Sequence, residues 1–295
     1  MPKEYTSAPR RIFVIINYLF CTLIAVLCLL PMLHILALSL SSSTAVNSGQ
    51  VILQPINTNL KAYRYVMSDF QFFTSLWISG KRVFLGLLVN LSMVVLAGYP
   101  LSKPRSRFAS RQFYAWYFVV TMLFSAGLIP TYLVVSKTGL LNSIWALIIP
   151  GAVPVFNVIL MQNFIKALPD EIGESAFVDG AGHWRTLWHI ILPLCKPSLA
   201  AIVLFILVDH WNEWFNGILY MNNPTLYPLQ SYLRSQVVDL TNLDLSMTLE
   251  DLAEKTAQAS NRSAQMFLAL IPVLVVYPFL QRYFTTGIVM GSVKG

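Results

Sequence analysis

Asp209, His210 and Glu213 form a cluster of ionisable side chains inside an otherwise apolar stretch of this 295-residue sequence. A charge at membrane depth costs several kcal/mol, so such residues usually face the interior of a helix bundle or an aqueous path. The two carboxylates are four residues apart, which places them on one face of a helix. The neighbouring positions add Trp211, Asn212 and Trp214. These residues are therefore candidates for lining a substrate path through the bundle.

Three other interpretations of this cluster stay open at the level of sequence. The residues could lie near the outer membrane interface, where Trp is common and carboxylates meet water. Asp209 and Glu213 could carry protons in a secondary transporter, or form a catalytic pair in an intramembrane enzyme. No further motif supports the enzyme interpretation, since the sequence contains neither H-E-x-x-H nor G-x-S-x-G.

The sequence also offers no site for a metal or a nucleotide. Cys21, Cys28 and Cys195 have neither metal-ligand spacing nor the pattern of a disulfide framework. The phosphate-binding pattern G-x-x-x-x-G-K-[ST] is missing, because the Gly-Lys pair at 80–81 has Ser75 where the first Gly should stand. We expect no metal and no cofactor bound by this chain, and an energy source on another chain.

The composition is that of a membrane protein. Hydrophobic residues make up 56% and charged residues 11%, against roughly 25% charged in an average soluble domain. The formal net charge of +7 comes from basic residues scattered between apolar runs, which fits a membrane charge bias and argues against nucleic acid as a partner.

The apolar residues predict an all-α polytopic membrane protein, one transmembrane domain over 1–295, with six transmembrane helices. The expected spans are about 12–40, 77–101, 112–136, 140–165, 197–220 and 263–281. The first is longer than the roughly 7–15 residues of a cleavable signal core, so we expect it to remain as a span.

Lys and Arg set the expected orientation. The short segment from Lys103 to Arg111 holds four basic residues and no acid, which predicts that it is cytoplasmic. Both termini are then cytoplasmic, and the loop over about 222–262 is extracytoplasmic, with a short capped helix over 249–259. Lys81 and Arg82 fall at the outer end of the second span, where they can snorkel to the headgroups.

The cytoplasmic segment 168–195 is too polar to insert into the membrane, and its pattern predicts two helices separated by a turn. Asp170 after Pro169 can cap the first helix, and Gly180 and Gly182 break it. The second helix starts at His183, carries one apolar face and ends at Pro193. That face is formed by Trp184, Leu187, Trp188 and Ile191. Such a face at the membrane surface indicates a cytosolic partner protein.

The same segment resembles the EAA loop of ABC importer permeases. Glu174, Ser175 and Ala176 are followed after three residues by Gly180, and the remaining matching positions are Asp179, Ala181, Ile190, Leu192 and Pro193. Ser175 replaces the usual Ala and is also small. The resemblance implies a type I importer permease fold, in which this loop is a coupling helix, Glu174 contacts the ATP-binding subunit and Gly180 makes the turn.

Two further features extend the resemblance to the carbohydrate-type permeases, in particular the shorter, maltose-type subunit. Residues 211–215 resemble the W-N motif of that group. The small-residue tail with Gly287, Gly291, Lys294 and Gly295 resembles one that reaches toward the ATPases. The family implies a cell-membrane importer with a second, different permease subunit, two ATP-binding subunits holding ATP and Mg²⁺, membrane lipid around it, and an extracellular solute-binding protein delivering an oligosaccharide.

Overall fold

The computed structural model describes residues 8–241 and 249–291, and this part of the chain is built from helices, turns and loops. The α-helices in chain order are α1 (Ala8–Leu40), α2 (Ser43–Asn47), α3 (Lys61–Ser68), α4 (Phe70–Ser102), α5 (Arg111–Leu123), α6 (Leu128–Lys137), α7 (Val155–Lys166), α8 (Asp170–Val178), α9 (His183–Thr186), α10 (Leu192–Leu194), α11 (Lys196–Asn212), α12 (Phe215–Tyr220), α13 (Leu229–Thr241) and α14 (Leu249–Gly291). Short 3₁₀ turns cover Ile144–Leu147, Ile149–Gly151 and Pro224–Leu226, and a π-helical turn covers Leu187–Ile191. The mainly helical fold agrees with the expected class.

Three helices are by themselves long and apolar enough to cross a membrane, and three bent pairs would each do so if counted as one span. The uninterrupted helices are Pro9–Leu40, Phe70–Ser102 and Gln258–Phe279. The pairs, with their bends, are Arg111–Leu123 with Leu128–Lys137 (112°), Ile144–Gly151 with Val155–Lys166 (51°), and His183–Leu194 with Lys196–Asn212 (85°). The described residues therefore contain three spans, or up to six, by length and composition. The third, fourth and fifth apolar stretches are interrupted.

Glycine and proline explain most of these interruptions. Gly127, at the break before α6, has φ +85°, a conformation that disfavours other residues. Pro154 precedes α7 and has no N–H to continue an earlier helix. The break after α11 differs, because Glu213 there adopts an extended ψ of 116° and its side chain is engaged elsewhere in the fold.

The chain packs as two compact units. The first comprises residues 1–70 and 238–271, with a small core of Ala37, Ala45 and Val51. Ser260 Oγ donates to the carbonyl of Ser41 at 2.9 Å, and Gln265 Nε2 donates to Asp69 Oδ2 at 3.0 Å. Apolar side chains between 12 and 29 of α1 are largely exposed, as expected for a helix surface that meets lipid.

The second unit comprises residues 71–237 and 272–295, and it holds both candidate sites. Its core is formed by α4, α7, α11 and the segment 187–195. Gly98 of α4 lies against Met161 of α7, so that a Cβ would be 3.1 Å from Met161 Cβ. α4 also buries a stripe of polar and small residues at helical spacing, consisting of Ser75, Ser79, Arg82, Gly86 and Asn90.

The C-terminal part departs from the expected loop and short helix. α13 lies within the predicted loop 222–262, and α14 runs without a break from Leu249 to Gly291. No Gly or Pro lies between 249 and 271, so the helix has no local reason to stop before the predicted span. Gly287 and Gly291 belong to the backbone of α14, whereas Lys294 and Gly295 lie outside the described residues.

Candidate coupling helix and substrate path

α8 begins immediately after Pro169. Pro169 occupies the N-cap position with an extended backbone, and Asp170 and Glu171 form the first turn. Asp170 is therefore the first helical residue and not the cap that the sequence suggested. Its carboxylate and that of Glu171 still lie at the positive end of the helix dipole, which favours acidic side chains.

The end of α8 is fixed by the backbone of Gly180. Gly180 has φ +77°, its N–H donates to the carbonyl of Phe177 at 3.1 Å, and the Ala181 N–H donates to the carbonyl of Ala176 at 2.9 Å. This pair of bonds is a Schellman motif, which requires a left-handed residue at the position of Gly180. No atom lies within 4 Å of a Cβ built on Gly180, so the requirement for glycine comes from φ and not from crowding.

The second helix of the loop divides its apolar side chains between the core and the surface. α9 continues into the π turn Leu187–Ile191, and Leu187 and Ile191 are buried at 2% and 3% exposure. Trp184 and Trp188 are 65% and 56% exposed. Leu187 and Ile191 therefore pack into the chain's own core, whereas Trp184 and Trp188 stay exposed for a partner.

The chain also continues through Pro193 before it changes direction. Pro193 lies inside α10, near its start, where its missing N–H is not needed. The bend of 85° falls at Cys195, between α10 and α11. The α8–α10 segment is thus joined directly to α11.

Side chains of α4 and of the segment that follows it contact the loop over 168–195. Tyr99 Oη and His183 Nδ1 are 3.2 Å apart, and the Phe177 and His183 rings pack edge to face with centroids 4.9 Å apart. Arg107 pairs with Glu174 at 3.3 Å and lies over the Phe177 ring. Both members of this ion pair are substantially exposed, so it adds at most about 1 kcal/mol to stability.

The motif residues of the loop are divided between buried and exposed positions. Ala176 and Leu192 are buried in the chain's own core, Ala181 and Ile190 are half-buried, and Pro193 is exposed. Glu174, Ser175, Asp179 and Gly180 are exposed, and the Ser175 hydroxyl donates to the carbonyl of Ile172 within its own helix. Val178, an apolar side chain between them, is 87% exposed. α8 therefore presents a surface of mixed acidic and apolar character that the described chain does not cover.

The five candidates for the substrate path also separate. Glu213 Oε2 accepts a 2.7 Å bond from Arg82, whose second NH group donates to the Glu213 carbonyl at 3.0 Å. Glu213 Oε1 accepts from the Asn216 N–H at 2.7 Å and so caps α12. Arg82 is only 2% exposed. The expectation that Arg82 snorkels to the headgroups is wrong, because the half-buried carboxylate of Glu213, 131 positions along the chain, binds it.

The remaining candidates lie on opposite sides of α11 and its end. Trp211 is buried at 8% exposure, and His210 is buried against Gly86 of α4. Both ring nitrogens of His210 lack a hydrogen-bond partner among the described residues. Asp209, Asn212 and Trp214 are exposed, and the Arg234 guanidinium lies 5.1 Å from the centre of a Trp214 ring. Asp209 and Glu213 do not share a helix face, because α11 ends between them.

Comparison with known proteins identifies the chain. The profile of the family described as "Binding-protein-dependent transport system inner membrane component" matches residues 93–290, which include α8 and the break after α11. The chain belongs to this family. The resemblance stated from the EAA-like loop is thereby confirmed.

This inner-membrane permease is similar along its whole length to transporters of sugars and polysaccharides. The polygalacturonan/rhamnogalacturonan transport system permease protein YtcP of Bacillus subtilis (strain 168) is 38% identical over 97% of this chain and 99% of the relative. Protein LplC of the same bacterium is 38% identical over 99% of this chain and 98% of the relative. A crystal structure of a bacterial ABC transporter for import of the acidic polysaccharide alginate matches with a TM-score of 0.83 and 32% identity, covering 96% of this chain and 100% of that chain.

Membership makes this permease a membrane-embedded transport subunit and not an enzyme. Arg82 lies before the matched range, and sequence reasoning did not connect it to Glu213. One signal for the pair was present, since both residues are charges of opposite sign within apolar segments, where unpaired charges are costly.

Proposed function

We propose that this permease forms half of the translocation path of an ATP-driven ABC importer for an oligosaccharide. A second permease subunit of different sequence supplies the other half, and an external solute-binding protein delivers the substrate. The dependence on a binding protein is supported by the family to which the chain belongs. The carbohydrate substrate is supported by the relatives, since YtcP is named for polygalacturonan and rhamnogalacturonan transport and the structural neighbour for alginate import.

The observation that carries the coupling role is the geometry of α8. The helix is anchored on one side by Ala176 and ended by the left-handed turn at Gly180, while Val178 and Glu174 remain exposed. An exposed apolar side chain beside a carboxylate, on a rigid element, suits a protein partner. In this proposal that partner is an ATP-binding subunit, which holds ATP and Mg²⁺.

The proposed topology has six spans and cytoplasmic termini. Its support is the basic segment from Lys103 to Arg111, which follows directly after α4 and lies beside α8. Closure of two ATP-binding subunits would move the coupling helices as rigid bodies. The 85° junction at Cys195 transmits that movement to α11, and so to the substrate path.

The proposed path is the side of α11 and α12 that carries Asp209, Asn212 and Trp214. Broken helices are tolerated at membrane depth where they line a cavity or pack on protein, and the break at Glu213 is of this kind. The Arg82–Glu213 pair holds the break, so Glu213 acts on substrate only through the positions of its neighbours. Trp211 is a packing residue in this proposal.

We also propose that the substrate carries carboxylates, as uronic acid units do. YtcP is named for polygalacturonan and rhamnogalacturonan, and the structural neighbour imports the acidic polysaccharide alginate. In this chain Arg234 lies over Trp214, which places a cation beside an indole that can stack on a sugar ring. A guanidinium binds a carboxylate through two parallel hydrogen bonds.

Co-purification tests the coupling role. The tagged permease is isolated from its native membrane, and nucleotide-binding subunits and ATPase activity are measured in the wild type and in Glu174→Lys and Val178→Asp. We expect both variants to lose the ATPase subunit. Arg107→Gln is the matched control, because it breaks the same internal ion pair as Glu174→Lys but leaves the exposed face of α8 unchanged.

Two results would contradict the proposal. Equal loss of the ATPase in Arg107→Gln would assign the effect to the internal ion pair. Substrate uptake driven by a proton gradient, with no ATPase recovered from wild-type membranes, would support a secondary transporter in which Asp209 carries the proton.

A further inference from the structure

Two hollows at the end of α4 share two cationic lining residues, Lys103 and Arg107. The polar hollow has a volume of about 510 Å³, and its basic lining residues are Lys103, Arg107, Arg111 and Lys166. The apolar hollow has a volume of about 270 Å³ and also includes Lys103 and Arg107. Its main apolar lining residues are Leu96, Tyr99, Pro100, Phe108, Trp184 and Leu187.

The polar hollow carries an excess of positive charge. Its four cations face two carboxylates, those of Asp170 and Glu174. Burial lowers the pKa of Lys103, and the nearby Arg107 guanidinium lowers it further, against an opposing effect of Asp170. The Nε of Arg111 is buried and has no hydrogen-bond partner among the described residues. These groups would be stabilised by an anion that accepts several hydrogen bonds.

We propose that the two hollows together bind one anionic phospholipid, with its phosphate among the four cations and an acyl chain in the apolar hollow. A free phosphate would use only the polar hollow. The lipid uses both, and the shared Lys103 and Arg107 lie where headgroup and chain meet. The site directly follows a 33-residue apolar helix of a membrane protein, so lipid is the anion present at the highest local concentration.

The site also touches the coupling helix. Arg107 joins the polar hollow to Glu174 of α8, and Trp184 joins the apolar hollow to α9. A phosphate bound to Arg107 competes with Glu174, so lipid occupancy changes how firmly α8 is held. This regulatory consequence rests on the proposed coupling function, whereas the binding of lipid does not.

Lipid binding to the purified permease, in its complex or as the full chain, tests the site. Displacement of a fluorescent phosphatidylglycerol from neutral-detergent micelles is measured with phosphatidylglycerol, phosphatidylcholine and the water-soluble glycerophosphoglycerol as competitors. We expect a clear preference for phosphatidylglycerol that falls with added salt, because the contact is electrostatic. We expect glycerophosphoglycerol to compete poorly, because it cannot fill the apolar hollow.

Variants connect the preference to these residues. Lys103→Gln with Arg107→Gln should weaken phosphatidylglycerol binding about tenfold or more, given roughly 1 kcal/mol for each cation near a membrane surface. Arg105→Gln removes an exposed cation of the same loop that lines neither hollow, and it should leave binding unchanged. Phe108→Ala should weaken binding of the lipid but not of glycerophosphoglycerol.

Several outcomes would overturn the proposal. Equal affinity for phosphatidylglycerol and phosphatidylcholine in the wild type, which needs no variant to fold, excludes an anionic lipid site. An effect of Arg105→Gln as large as that of the double variant indicates a general surface charge. Equal competition by glycerophosphoglycerol indicates a site for free phosphate. If the double variant changes only recovery of the ATP-binding subunit, the hollows bind a partner protein.

Discussion

At the scale of residues, the fold depends on a few polar side chains that cannot be substituted without leaving a partner unpaired. Arg82 is almost fully buried, and both NH groups of its fork bind Glu213, one through the carboxylate and one through the backbone carbonyl. The other carboxylate oxygen of Glu213 caps α12. Three hydrogen bonds therefore meet at one residue, Glu213, and two of them join α4 to the break after α11.

Removal of one partner of this pair should be strongly destabilising. Arg82→Met leaves a carboxylate that is largely buried without its cation, and we expect a loss of about 3–5 kcal/mol in the free energy of unfolding. Thermal unfolding of the detergent-solubilised protein measures it. The double variant Arg82→Met, Glu213→Gln removes both charges and should recover a large part of the loss. If the double variant is as unstable as the single one, the charges are not coupled.

The backbone conformation at Gly180 can be tested by comparing alanine substitutions at two glycines of the same loop. Gly180→Ala places a Cβ on a residue at φ +77° and should cost about 1–2 kcal/mol. Gly182→Ala is the matched control, because Gly182 has φ −73° and neither glycine has an atom within 4 Å of a built Cβ. Unfolding temperature and hydrogen exchange of the Ala181 amide, which closes the motif, measure the difference. Equal effects of the two substitutions would contradict the role given to φ.

At the scale of elements, close approach between helices determines which glycines can accept a larger side chain. Gly80 and Gly86 both lie inside α4, yet a Cβ on Gly86 would overlap the buried imidazole of His210, whereas none of the described atoms lies within 4 Å of one on Gly80. The contact brings α4 against α11 at the level where Arg82 meets Glu213. The seam between these helices therefore combines a small residue with a buried ion pair.

Alanine at these two glycines should have opposite effects. Gly86→Ala should destabilise the protein by about 1–3 kcal/mol through overpacking against His210. Gly80→Ala should be neutral or stabilising by up to about 1 kcal/mol, because alanine is the better helix former. Thermal unfolding of both variants in the same detergent checks the prediction. A stable Gly86→Ala variant would show that α4 and α11 are not in contact as described.

At the scale of the whole molecule, local features were predictable and long-range ones were not. The helix–turn–helix over 168–195 is encoded by Pro169, the acidic first turn and Gly180, all within a few residues of the atoms they affect. Two of the breaks in the apolar stretches lie at Gly127 and Pro154, which are visible in the sequence, whereas the break at Glu213 depends on a contact with a distant helix. The Arg82–Glu213 pair joins positions 131 apart. Hydropathy predicts that such segments are apolar but cannot predict where they bend or what they bury.

The nature of the substrate is a property of the assembled importer and can be tested there. If Arg234 and Trp214 recognise an acidic sugar, Arg234→Gln should weaken uptake of a uronic acid oligosaccharide about tenfold or more, because it removes a charge-assisted hydrogen bond. Uptake of a neutral oligosaccharide of equal length should not change. Lys137→Gln removes another exposed cation on the side proposed to be extracytoplasmic and serves as the control. Equal losses for acidic and neutral substrates would mean that Arg234 supports the fold of α13, and carboxylate recognition would then lie on the second permease subunit or the binding protein.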